Sequence, residues 1–156
     1  NNEIDKLLLN LGKRKKITED DIEKYVGVSK EYNPFELQAA LVKRDLAKAI
    51  RIIQYFEANP KAAPIQLILP TLYNLFSKAY QVFGLTSQDE KTVAAHLGVN
   101  PFFVKDYLAT TRQYGFEGIE SALLLLHHYP GSSDASLLKE MVVKIIAGTV
   151  TENAHP

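Results

Sequence analysis

The side chains able to do chemistry are few and scattered. Cysteine is absent, which removes a thiolate nucleophile, a thiolate metal site and a disulfide framework together. Histidines stand at His96, His127, His128 and His155, and none has a second ligand at the spacing a zinc site needs. His127 and His128 are neighbours, so on a helix their rings leave the axis about 100° apart, poor geometry for one ion; covering a helix end is the simpler role. The pairs Asp20 with Asp21 and Asp89 with Glu90 could serve as acid and base, but both fall where a helix begins, where carboxylates complement the macrodipole. Gly12 before Lys13 lacks the preceding glycine and the spacing of a phosphate-cradling loop. No catalytic, cofactor-binding or metal-binding set emerges, and the chain alone is not expected to bind ATP.

Charge narrows the reading further. Eighteen basic residues balance eighteen acidic ones, so the net positive field of a protein that lives on phosphate backbones is missing and protein partners are favoured. The basic run at residues 13–16 reads as a solvated loop. The most apolar stretch, residues 65–83, is interrupted by Gln66, Asn74, Ser77, Lys78 and Gln81, too polar for a membrane span. Nothing at the N-terminus reads as a signal peptide, and the lack of cysteine suits a reducing, intracellular setting. The chain opens on Asn1 inside an amphipathic run and reads as a piece of a longer polypeptide.

The elements that must position these groups are helices throughout. Ile4, Leu7, Leu8 and Leu11 form a stripe that Gly12 ends; Thr18 then caps a short helix carrying Ile22, Tyr25 and Val26 to Gly27. Residues 28–33 have no periodicity and mark a boundary between two units. Asn33 and Pro34 open a helix with Phe35, Leu37, Ala40 and Leu41 on its apolar face. Asp45 caps the next, whose stripe is Leu46, Ala49, Ile50, Ile53 and Phe56, and Asn59 with Pro60 ends it. Residues 64–83 read as a long buried helix stopped by Gly84, with a kink or break expected at Pro70, since an interior proline costs about 3 kcal/mol. Ser87 starts a helix ending at Gly98, and Asn100 with Pro101 opens another ending near Gly115. A helix from about 117 to 128 and a last one after the Ser132, Ser133, Asp134 cluster complete the chain, the latter burying Leu138, Met141, Val142 and Ile145. The tail after Gly148 should fray.

One pattern is sharper. Residues 92–112 pair a short helix, a Gly98 turn and a second helix, with small Ala94 and Ala95 where two helices could approach, the layout of a helix-turn-helix. A DNA reader presents Arg, Lys, Asn or Gln from the first turns of its second helix. Those turns hold Pro101, Phe102, Phe103 and Val104, which want burial, so Phe103, Val104 and Tyr107 are expected inside. Lys105 and Arg112 are the two side chains that could reach a phosphate.

In order along the chain, NEIDKLLLNLGKRKKITEDDIEKYVG, FELQAALVKRDLAKAIRIIQYF, AAHLGVNPFFVKDYLATTRQYGFEGIESALLLL and SLLKEMVVKII resemble the delta subunits of the bacterial DNA polymerase III clamp loader. The marks are F-x-L-x-x-A-L at 35–41, D-x-x-x-A-x-R-I at 45–52 and L-G-V-x-P-x-x-V at 97–104. Each is helix grammar alone; their order is what is specific. Pro70 inside the long helix, and the short loop PGSSDAS without basic residues, depart from the family's pattern. The resemblance implies an all-α architecture: a helical, bundle-like collar domain over residues 28–156, preceded at 1–27 by the last helices of an AAA+ lid domain. It implies a non-catalytic, cytoplasmic assembly module of DNA replication, without cofactor or membrane contact, that associates through the collar with the gamma/tau and delta-prime subunits. The sliding clamp would be met only by the family's N-terminal domain, which this sequence lacks, and DNA only indirectly. The competing reading is a small helix-turn-helix DNA-binding protein using residues 94–112. A contiguous basic face would favour that reading; mixed charge with an exposed apolar patch would favour the collar.

Overall fold

Alternating stop signals and apolar stripes become six α-helices and one 3₁₀ turn within residues 32–148, the part that the computed structural model describes. They are α1 (Pro34–Val42), α2 (Leu46–Ala58), α3 (Ile65–Val82), α4 (Glu90–Leu97), the 3₁₀ turn Pro101–Phe103, α5 (Val104–His127) and α6 (Ala135–Ala147). No strand occurs among the described residues, so the all-α expectation holds. The helices expected before residue 28, the boundary after Gly27 and the tail after Gly148 lie outside the described residues.

The caps are built by the short polar side chains. Asn33 Oδ1 accepts from the amides of Phe35 and Glu36 at 2.8 and 3.1 Å, with Pro34 in the first turn. Asp45 accepts from Lys48 N–H, and Asp134 from Ser136 N–H. Each such cap typically contributes about 1 kcal/mol. The start of α4 differs from expectation. Ser87 Oγ accepts from Asp89 N–H, and Asp89 is itself the cap, accepting from the amide and the hydroxyl of Thr92. A carboxylate competes better than a hydroxyl for the orphan amides at the positive end of a helix, so α4 begins two residues later than Ser87 implies.

Helix α3 is the spine. Ile68, Leu72, Leu75, Phe76, Ala79 and Val82 are buried along it, against α1 on one side and most extensively α5 on the other, while α6 closes onto α2. Leu37, Leu41, Ile52 and Ile53 fill the core from α1 and α2. Ile52 was not in the expected stripe, and Leu46 and Ile50 are only half-buried. Phe35, expected on the apolar face of α1, is 55% exposed. It sits in the first turn, two residues before Leu37, and helical residues two apart do not share a face.

Two special residues behave oppositely. Of the kink or break expected at Pro70, the break does not occur: helix α3 continues through it from Ile65 to Val82. Pro70 and Gln66 are both exposed, so the carbonyl that loses its partner opens to water, and the stable turns before and after carry the helix past the one missing bond. Gly115, by contrast, has φ 70° and ψ 174° inside α5. That backbone is open essentially to glycine alone, and it divides α5 into halves 104–114 and 116–127, close to where the sequence places an end and a new start.

Candidate functional site

The turn between α1 and α2 is where the packing is tied. Arg44 has φ 58°, unusual for a side-chain-bearing residue. From there Nε donates to the Ile146 carbonyl at 2.8 Å and a terminal nitrogen donates to the Gln113 carbonyl at 2.6 Å. Both acceptors lie in the last turns of helical segments, where carbonyls lack partners and carry the negative end of the dipole. The guanidinium also lies 4.8 Å from the Tyr114 ring centre, and Tyr114 Oη donates to the Leu41 carbonyl at 2.5 Å. Burial raises the Tyr114 phenol well above its ordinary range, with Arg44 pulling weakly the other way. Burial likewise raises Tyr107, which is hydrogen-bonded to Asn74.

Next to this knot lies a groove of about 490 Å³ between the α1–α2 turn, the start of α4 and the first half of α5. Lys105 and Arg112, seven residues apart and so on one face of α5, both line it. The structure thus brings together the two sequence-derived candidates and adds Lys43. Glu90 and Asp106 line the same groove, so three cations face two carboxylates and the charge is mixed.

Around it the helix-turn-helix layout is present as packing. Gly98 ends α4 in the left-handed conformation and Ala94 is buried, while Ala95 is exposed. Val104 and Tyr107 are buried as expected, but Phe103 is 48% exposed and Phe102 78%. All three residues of the 3₁₀ turn are exposed, and the two rings meet edge to face at 5.4 Å. His127 and His128 sit together at the end of α5. The rings of His127 and His128 lie 5.1 Å apart at right angles, with His128 Nδ1 against the Leu124 carbonyl. Among the described residues no group of three His, Asp or Glu is placed to hold a metal, and no helix is long and apolar enough to cross a membrane.

A second surface was missed by sequence reasoning. Tyr80 of α3 stacks on Phe116 of α5 at 5.2 Å, and Phe83 meets Phe116 edge-on at 5.3 Å. Yet Phe83 and Phe116 remain 40% and 45% exposed, with Tyr73 at 51% and Leu124 at 59% beyond them. The signal was present as aromatics beside helix-stopping glycines, Phe83 just before Gly84 and Phe116 just after Gly115, but periodicity assigns an aromatic near a helix end to the core by default.

Residues 31–129 match the family described as DNA polymerase III delta subunit, C-terminal domain. The chain is 28% identical over 145 residues to the DNA polymerase III subunit delta of Bacillus subtilis, covering 89% of this chain and 42% of that protein. It therefore spans less than half the length of that relative. No solved structure matches.

Proposed function

Because the chain belongs to the DNA polymerase III delta-subunit family, through that family's C-terminal domain, we propose that it is a non-catalytic assembly module of a replication clamp loader. In this reading it forms the collar that associates with gamma/tau and delta-prime subunits in the cytoplasm, while contact with the clamp belongs to another domain of such subunits. The observation that carries it is surface chemistry. Tyr73, Phe83, Phe116 and Leu124 stand 40% to 59% exposed along α3 and the second half of α5, a run of apolar surface of the kind that marks an interaction site. Size-exclusion chromatography with the gamma/tau and delta-prime subunits of the same organism tests it, beside a pull-down with the sliding clamp. Co-elution without clamp capture is expected. No co-elution at about 10 μM, or capture of the clamp by this chain, overturns the reading.

The exposed Phe103 beside Lys105 gives the helix-turn-helix reading its one support, but the groove's carboxylates deny it a continuous basic face. Lys105 and Arg112 are instead proposed as auxiliary phosphate contacts within the assembled complex. Replacing both by alanine should weaken DNA binding of the complex and lower its salt dependence by about two phosphate contacts. An unchanged salt slope removes them from that role.

A further inference from the structure

Resting on the assembly reading above, we infer that the seam between α3 and the second half of α5 is a docking face for a partner helix that is apolar along one side and flanked by Lys or Arg. The seam is continuous. Phe116 joins Tyr80 and Phe83 through ring contacts, and Glu120 Oε2 accepts from Tyr80 Oη at 3.4 Å. Leu124 lies one turn beyond Glu120, and Tyr73 lies two turns before Tyr80 on the same face of α3.

Its charge selects the occupant. Residues 116–127 contain Glu117 and Glu120 and neither Lys nor Arg. On α3 the one Lys or Arg is Lys78, whose Nζ donates to the Leu97 carbonyl at 3.3 Å, on the α4 side. With Glu117 and Glu120 on the second half of α5 and no Lys or Arg there, the exposed aromatic strip attracts a partner with cations beside its apolar row. A second copy of this chain fits poorly: in a two-fold pair the strip would meet itself, setting carboxylate against carboxylate. The groove at Lys105 and Arg112 has the opposite balance and is a separate surface.

The test measures affinity for the gamma/tau and delta-prime subunits with the full chain carrying Leu124→Ala, or the pair Glu117→Lys and Glu120→Lys, with thermal unfolding as a folding control. Each change should weaken association at least about tenfold, the scale of an interface anchor, while Glu57→Lys on α2 should not. The charge-reversal pair lies at exposed positions, so it remains informative if Leu124→Ala fails to fold. If the parent chain associates and these variants match it, the seam is wrong and the assembly reading stands. If the parent binds no subunit, both fall. Tighter binding by the charge-reversal pair, or self-association that Leu124→Ala abolishes, assigns the seam to an acidic partner or a second copy and overturns the inference.

Discussion

Arg44 shows how one side chain can organise several elements. Its guanidinium supplies the donors that two helical ends lack and covers the ring of Tyr114 at the same time. Replacement by Met keeps the aliphatic stem but removes both donors. The bond to Ile146 is partly buried and that to Gln113 exposed, so the expected loss is about 1.5 to 3 kcal/mol in urea unfolding. Lysine should recover little of it, because one ammonium cannot reach both carbonyls in a fixed fork. Tyr114 adds a pH dependence. Burial raises its pKa in the folded chain, so the fold holds the neutral phenol more tightly than the unfolded chain does. That contribution is complete below the ordinary phenol value of about 10 and is lost as pH rises above it. Stability measured from pH 8 to 11 should therefore fall above about pH 10, and Tyr114→Phe should make that fall shallower. An identical slope in the variant would place the effect elsewhere.

At the scale of elements, Pro70 and Gly115 act oppositely: α3 continues through the first and α5 changes course at the second. An added Cβ at Gly115 would meet nothing within 4 Å, so Gly115→Ala carries backbone strain alone, about 1 to 3 kcal/mol. Gly98 is as open but has φ 70° and ψ 35°, the left-handed helical region, where alanine costs about 1 to 2 kcal/mol. Denaturant midpoints should rank Gly115→Ala below Gly98→Ala. Pro70→Ala should raise stability by about 1 kcal/mol: the regained bond to the Gln66 carbonyl and better propensity outweigh the loss of proline's hold on the unfolded chain. These residues also show what was legible in the sequence. Caps such as Asn33, Asp45 and Asp134 act within three residues, so local pattern suffices to place α1, α2 and α6. Lys105 and Arg112 could be paired by helical spacing. The exposure of Phe35 and Phe103, the bridging by Arg44 over 102 positions to Ile146, and the Phe116 seam depend on which helices meet, and one strand of local pattern holds no record of that. The break at Pro70 did not occur because one missing bond does not end a helix whose turns on both sides are packed.

At the scale of the whole molecule, the order of contacts along the chain sets what must be present for the unit to fold. Among the described residues the hydrophobic core runs from Leu37 to Ile146, and α6 packs on both α2 and α5, so the last described helix completes a core that the first ones begin. The family match ends at residue 129, before α6, which makes truncation there a natural but misleading choice. Leu138, Met141, Val142, Ile145 and Ile146 are all buried. Burying a side chain of this size is worth about 1.5 to 3 kcal/mol. Five of them approach the entire stability of an ordinary domain, about 5 to 15 kcal/mol. Removing α6 also leaves the Arg44 Nε donor without the Ile146 carbonyl and exposes the apolar faces of α2 and α5 that it covers. A chain of residues 32–148 should therefore unfold in one cooperative thermal transition, whereas residues 32–129 should keep partial helical circular dichroism, bind a hydrophobic dye and show no sharp transition. Cooperative melting of residues 32–129 near the temperature of the longer chain would show that α6 is an appendage, not part of the core.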